Sequence, residues 1–454
     1  MKKILIYNWA RLENTNISGG VGVYTRNLIS TLLQGSGYDI YFLNSGYSYN
    51  VNGKLHVKPS TNIFGDKVKS FEIINSPVIA PVQQSIKNFE YYLQDNSVYI
   101  LVKEWLNSIG GVDVIHFQNI EGLPLSIFNL KTDFPKTKFI YSLHNYFPLC
   151  PAVWLWNKDH NCKKTSFDDC STCYHRRCYA TTKIARSISH SNIAEGINYY
   201  LFQNRPSCND AKIFQQFAEN NKSTINANID VMLAVSKRVK EIFLSHGYDQ
   251  SKINVSYIGT KAAENALCHS NANFNCKPFK IIFMGYMNEQ KGFNFFIDAL
   301  NQLPLEYTKK IHLTICAKYS RISNRAQLKR IKELRSKFNQ LDLFNGYNST
   351  NQRQILQGQH LGIVPVLWED NLPQVLIEQV AHGVPVLCSD LGGGKEIVNS
   401  PLFTFKAGDI KDFNSKLINI FNERSLLTSF WKSAKKLTTM QEHIKEIKAI
   451  YEQS

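Results

Sequence analysis

Short apolar runs, each closed by a glycine, a proline or a polar cluster, alternate along this chain with segments whose apolar residues recur every three or four positions. The short runs predict strands over 3–7, 113–118, 138–144, 230–235 and 253–259 in the first half, and over 279–285, 311–317, 343–346, 363–367 and 385–389 in the second. The periodic segments predict helices over 18–33, 237–246, 326–338, 352–357, 409–421 and 426–451, with two more starting near Lys291 and Pro373. Strand and helix in strict alternation predict an α/β chain with parallel sheets. In the first helix Val23, Leu28 and Leu32 are expected to pack inward, and after Pro373 the apolar side is Val375, Leu376 and Val380. Ser236 stands where it would cap the helix at 237. Residues 45–96 are polar and irregular and predict no definite element, while 179–221 reads as helical and basic in its first half. Residues 261–277, rich in Asn, Ser and Ala, read as a linker.

The chain has 454 residues, 43% of them hydrophobic, which is enough for two domains of about 200 residues each. The expected division is 1–260, a linker at 261–278, a second domain at 279–430 and a last helix at 431–454. No run of about 18 uncharged apolar residues occurs, and the N-terminus turns polar too early for a signal peptide, so the expected location is the cytoplasm. The formal net charge of +16 attracts phosphates, anionic lipid headgroups or nucleic acid. Lysine and arginine are spread along the chain, and neither a DNA-reading zinc-finger spacing nor an RNA-recognition signature is present, which disfavours nucleic acid. An anionic membrane surface, reached from the inner face of the plasma membrane, and a plain solvated basic face stay as the two readings.

The densest candidate chemistry lies at 368–396, WEDNLPQVLIEQVAHGVPVLCSDLGGGKE. A strand leads into the acidic pair Glu369 and Asp370, then Asn371 and Leu372, and Pro373 opens a helix that carries Glu378. A carboxylate at that depth in a helix needs a hydroxyl partner, and ribose hydroxyls are suitable. The following strand ends at Gly392, Gly393 and Gly394, where bare backbone amides can approach an anion. Gly19 and Gly20 open the first helix in the same manner, and Lys291 beside Gly292 can neutralise a diphosphate. A G-x-G-x-x-G dinucleotide spacing is lacking at the first strand. His116 and His144 fall at the carboxyl ends of predicted strands, where open parallel sheets bind their ligands. Cys150, Cys162, Cys170, Cys173 and Cys178 crowd into 150–178, with Cys170 and Cys173 at C-x-x-C spacing. In a cytosolic chain that pattern reads as a structural zinc site or as reduced buried thiols, with a regulatory disulfide third.

These motifs together resemble retaining glycosyltransferases of family four. Asp370 and Glu378 have the eight-residue spacing of that family's paired acidic residues, and Glu369 stands one place before the usual glutamate. Gly19 and Gly20 resemble the family's diphosphate loop, the DVIH and SLH positions resemble its two strand-end histidine motifs, and HNYFPLCP resembles the loop of a subgroup rich in cysteine. The family pattern G-R-x-x-x-x-K-G is met at Lys291 but has Tyr286 at the arginine position. The resemblance implies a GT-B architecture, two Rossmann-like domains with parallel sheets facing across a cleft, with the last helix crossing back to the N-terminal domain. It implies transfer of a glycosyl unit from a nucleoside diphosphate sugar to a hydroxyl of a saccharide or polyprenyl-linked acceptor, with retention and with no cofactor required for catalysis. His144, and less directly His116, would act with Asp370 or Glu369 at the sugar. Lys291, Gly19, Gly20, Asn371, Leu372, Glu378 and Gly393 would bind the donor. A nucleotide-sugar epimerase, a sugar phosphorylase and a binding protein disabled by the Tyr286 departure are the alternatives.

Overall fold

The computed structural model describes residues 1–13, 19–35, 37–50, 53–80, 86–157, 160–162, 167, 170, 173, 211–264, 266, 274–348 and 350–453. The chain divides into two compact units. The first comprises Met1–Lys158, Cys162–Tyr257 and His443–Ser454, and the second Asp159–Asn161 and Ile258–Glu442.

The strands of the first unit are β1 (Lys2–Tyr7), β2 (Tyr38–Ser48), β3 (His56–Pro59), β4 (Val68–Ile74), β5 (Val114–Phe117), β6 (Lys138–Leu143), the short β7 (Trp156–Asn157), β9 (Val231–Ala234) and β10 (Ile253–Val255). Eight of them form one sheet in the order β10-β9-β6-β5-β1-β2-β4-β3, with β3 antiparallel to β4 and every other pairing parallel. Ile4, Leu5, Ile6 and Tyr7 are all at most 2% exposed, so successive side chains on opposite faces of β1 are equally buried. Such a strand must have both faces covered, which explains its unbroken apolar sequence.

The helix Gly19–Leu32 buries Leu28 and Leu32 as expected, but Val23 is 41% exposed and its neighbour Tyr24 is buried instead. One residue is about 100° around a helix, so the inward stripe runs through Tyr24 and Leu28, four positions apart. The stretch 45–96 is more ordered than its polarity suggests: it holds the end of β2, then β3, β4 and the helix Ile86–Gln94. Of 179–221, only the part from Ala211 is described, as the helix Ala211–Asn228. Ser236 does cap the helix Lys237–Ser245, its hydroxyl accepting from the Val239 amide at 3.2 Å.

The second unit contains β8 (His160–Asn161), β11 (Phe279–Tyr286), β12 (Ile311–Lys318), β13 (Gln340–Phe344), β14 (Leu361–Val364), β15 (Val386–Ser389) and β16 (Thr404–Phe405). The last six form an entirely parallel sheet ordered β13-β12-β11-β14-β15-β16. The chain lays down β11, β12 and β13 toward one edge and then returns to β11 to lay β14, β15 and β16 toward the other. The reversal falls between β11 and β14, and such a switch point is where sheets of this kind leave a crevice. Residues 261–264 are helical, and most of the expected linker beyond them lies outside the described residues.

The single helix expected over 426–451 is two, Ser425–Ser433 and Met440–Glu452. The second is started by a reciprocal cap. The Thr439 hydroxyl accepts from the Glu442 amide at 3.0 Å, and the Glu442 carboxylate accepts from the Thr439 amide at 3.0 Å. From His443 onward the chain belongs to the first unit, where the Lys2 ammonium donates to the Tyr451 carbonyl at 2.8 Å and the Lys138 ammonium to the Ile450 carbonyl at 2.9 Å. Cations thus meet the unpaired carbonyls of the helix C-terminus. Among the described residues no helix is long and apolar enough to cross a membrane.

Candidate functional site

In the second unit the site is built at the switch point. After β11 the chain turns through Gly292, whose φ of 70° favours glycine and whose added Cβ would lie 1.7 Å from the Pro365 carbonyl oxygen. This contact presses the turn against the loop after β14 and is reinforced by the Leu367 amide, which donates to the Gln290 carbonyl at 2.9 Å. Lys291 is thereby set against that loop. Its ammonium lies 2.5 Å from Asp370 Oδ2 and 5.3 Å from the centre of the Trp368 ring. The pair joins positions 79 apart in sequence, and the Asp370 carboxylate is nearly buried while Lys291 keeps about a quarter of its side chain exposed.

Glu369, the adjacent carboxylate, is turned away to a different task. Its Oε2 accepts from the Gly392 amide at 2.9 Å, and the Asp370 carbonyl accepts from the Gly393 amide at 2.9 Å. Gly392 has φ 65°, and a Cβ there would come within 2.0 Å of the Asp370 carbonyl oxygen. The glycine cluster is therefore a clamp on the acidic loop. This corrects the expectation for Gly393: its amide hydrogen is committed to Asp370 and does not face an anion. Asn371 and Leu372 complete the loop and are buried.

Pro373 precedes the helix Gln374–Ala381, which buries Leu376 and Val380 and leaves Val375 partly buried. Glu378 projects from it, and its Oε2 accepts from the Tyr347 hydroxyl at 2.6 Å. Burial pushes the Glu378 carboxyl up to about 7, against the opposing effect of hydrogen bonds from Tyr347 and Gln352. Burial and the Glu378 charge push the Tyr347 hydroxyl well up, so it stays a proton donor. Beside this pair lies an apolar cluster of Ile282, Met284, Cys316, Ile355, Leu356 and Val384, with Tyr347 and Val375 packed on it. Sequence reading missed Tyr347. Its one signal was a polar aromatic after a strand and glycine, which identifies no partner. Tyr286, at the end of β11, is 52% exposed.

The remaining predicted residues belong to the first unit. Gly19, with φ 55°, and Gly20 open the helix Gly19–Leu32 and are exposed. His144 follows β6 and is partly buried. Its Nε2 is 3.1 Å from Gln118 Oε1, and its ring is 4.6 Å from that of Tyr24. Burial, with His443 nearby, pushes it down to about 3, so it is a neutral imidazole at physiological pH. His116 departs from the expectation. It is fully buried within β5, with Nδ1 at 2.7 Å from the Tyr451 hydroxyl and Nε2 at 2.8 Å from the Ser142 hydroxyl. Both ring nitrogens are engaged, so it ties β5 to β6 and to the last helix and has none to offer a substrate.

Of the cysteines, Cys150 is buried and Cys162, Cys170 and Cys173 are partly buried, while Cys178 lies outside the described residues. The Cys173 thiol donates to the Trp156 carbonyl at 3.7 Å. Among the described residues no three His, Cys, Asp or Glu side chains are placed to hold a metal ion, and most of the loop in which the zinc site was expected, Cys178 included, lies outside those residues.

Residues 268–437 match the model of the family glycosyl transferases group 1. No curated protein matches the sequence significantly. Among solved structures, the chain is similar to the sucrose-phosphate synthase of Thermosynechococcus elongatus, with 14% identity, a TM-score of 0.63, and 99% of this chain and 98% of that one covered. It is similar to an α,α-trehalose-phosphate synthase (UDP-forming) of Burkholderia xenovorans, solved with glucose-6-phosphate, at 12% identity, a TM-score of 0.62 and 100% of both chains. HepE of Anabaena, solved with UDP and glucose, gives 12% identity, a TM-score of 0.61 and 99% of both chains. The chain thus has the GT-B fold, and its residues 268–437 carry the sequence pattern of glycosyl transferases group 1.

Proposed function

We propose that this protein is a retaining glycosyltransferase that moves a sugar from a nucleoside diphosphate sugar to a hydroxyl of a saccharide or lipid-linked acceptor, in the assembly of a cell-surface polysaccharide. The observation that carries the reading is the Lys291 and Asp370 pair at the sheet switch point, with Glu378 eight residues further on, inside the segment that matches the family model. A diphosphate leaving group needs positive potential, and Lys291 supplies it once the donor displaces Asp370. Asp370, released, accepts hydrogen bonds from sugar hydroxyls, the Asn371 and Leu372 amides donate to sugar oxygens, and Glu369 holds the loop in shape. Glu378 exchanges the Tyr347 hydroxyl for the ribose hydroxyls, and the partly buried Val375 and Tyr347, packed on the neighbouring apolar cluster, suit the face of a base. In the first unit, His144, as a neutral imidazole, and the Gly19 and Gly20 helix start are the groups suited to bind a ligand. The scheme stabilises charge with lysine and helix termini and uses no catalytic metal.

HepE was solved with UDP, and one of the synthases is UDP-forming, so uridine diphosphate sugars are the first donors to test. The experiment is a thermal-shift series over nucleoside diphosphates and their sugars, followed by turnover with Glu378→Ala. A rise in melting temperature with one donor, and loss of turnover in a folded variant, support the reading. Unchanged turnover in Glu378→Ala removes that residue from the site. NMR of the product anomer tests retention, and incubation with donor alone tests the epimerase alternative. Tyr286 favours one other reading, since a half-exposed phenol stands where the motif has a phosphate-binding cation. A chain that no nucleotide sugar stabilises would be a binding protein built on this fold.

A further inference from the structure

We propose that the exposed face of the helix Arg325–Leu334, together with the turn before it, docks on an anionic lipid surface. Residues 318–337 contain eight lysines and arginines and one carboxylate, Glu333, so twenty residues account for seven of the sixteen net positive charges. In sequence these cations are interleaved with other residues and look dispersed, but the helix collects them. Ile331 and Leu334 are buried and seat the helix on its unit. Arg325, Lys329 and Lys332, at spacings of four and three, fall on one stripe directed away from that seat, and all three are exposed.

The other groups on these elements do not neutralise the stripe. Arg330 is turned to Asp298 and Asn294, and Lys337 donates to Asn301. Lys318, Arg321, Arg325, Lys329, Lys332 and Arg335 make no ion pair among the described residues. Like charges three and four apart on a helix repel, and Glu333 sits at the edge of the stripe. A surface that brings fixed negative charge relieves this repulsion.

The apolar part of the patch selects among polyanions. Ile322 is 90% exposed and lies between Arg321 and Arg325 in the turn. Burying such a side chain at the boundary of headgroup and acyl chain is favourable, and flanking cations at headgroup depth add to it. A nucleic acid backbone offers the same charge and no apolar layer. The turn also follows the carboxyl end of β12, and Lys291 and Asp370 follow the carboxyl ends of β11 and β14 in the same parallel sheet. Within this unit the patch therefore starts from the sheet end that carries the candidate donor site. The lipid contact stands on its own charges and on Ile322, independently of the donor assignment.

The test is co-sedimentation of the full-length protein with vesicles of phosphatidylcholine, or of phosphatidylcholine with one third phosphatidylglycerol, over a salt series. The wild type is expected on the anionic vesicles alone, with binding that falls as salt rises. The triple variant Arg325→Gln, Lys329→Gln, Lys332→Gln should bind about a hundredfold more weakly, at about fivefold for each cation. Ile322→Ser should weaken binding while keeping its salt dependence. Thermal melts of each variant check that the fold is intact. Undiminished binding by the triple variant, equal binding to neutral vesicles, or no binding to anionic ones would overturn the proposal. So would a DNA duplex that binds the wild type as tightly as the vesicles and loses as much affinity in the triple variant.

Discussion

Replacing Glu378 with glutamine tests the site through two readouts of opposite sign. In the folded chain burial raises this carboxyl from its ordinary 4.5 to about 7. An acid whose pKa is raised on folding keeps its proton in the folded state while the unfolded chain has lost it, so stability falls as pH rises from about 4.5 to about 7. Above both values the cost is about 3 kcal/mol, and below about pH 4.5 it vanishes. Glutamine has the same shape, still accepts from the Tyr347 hydroxyl and carries no charge. Glu378→Gln should therefore melt higher than the wild type at pH 8 and about equally at pH 4. Nucleoside diphosphate binding should move the other way. An ionised Glu378 accepts from the ribose hydroxyls, and hydrogen bonds to a charged group are worth about 1.5–3 kcal/mol, so the variant should bind roughly 10- to 100-fold more weakly at pH 8. In the wild type, binding should strengthen as pH rises through about 7. Scanning calorimetry over pH and titration calorimetry with uridine diphosphate measure both. A melting difference that is independent of pH, or unchanged nucleotide affinity, would refute the assignment.

Lys291→Met should weaken nucleoside diphosphate binding by roughly 10-fold or more through the loss of one charge-assisted contact, measured by titration calorimetry; undiminished affinity would remove Lys291 from the diphosphate. Gly392→Ala places a Cβ 2.0 Å from the Asp370 carbonyl at a φ of 65°, and should destabilise the second unit by about 2 kcal/mol or more, read as a lower melting temperature. Burial pushes His116 and His144 down to about 3 and His443 down to about 4 in the first unit. Groups held neutral in the fold give stability that is fully present above the unfolded value near 6.5 and is lost as pH falls below it, by about 3 kcal/mol at pH 4 for His116 alone. Melting temperatures that stay flat between pH 6.5 and 4 would contradict that count.

The α/β alternation and most strands were legible in the sequence, because a strand buried on both faces leaves an unbroken apolar run wherever it lies. The acidic loop, Glu378 and Lys291 were legible too, since each sits in a local motif next to a strand end. The stretch 45–96 was opaque because its strands mix polar and apolar residues, and a strand paired at the sheet edge, such as β3, needs no apolar run. The break at 434–439 was legible in principle, as a Thr-x-x-Glu cap, and was obscured by the apolar period on either side.

Sequence by itself determined the α/β alternation, most of the buried strands, the positions of the ionisable groups along them and the glycines that the tight turns require. Those depend on neighbours within a few residues. Tertiary structure decided which of two adjacent carboxylates meets Lys291, that Glu378 is held by Tyr347 from 31 residues away, and that His116 is occupied by Tyr451 from 335 residues away. Partners at such separations are set by where the chain returns in space. The protonation state of a buried group follows from those partners and from the water they exclude, neither of which is written in its local sequence.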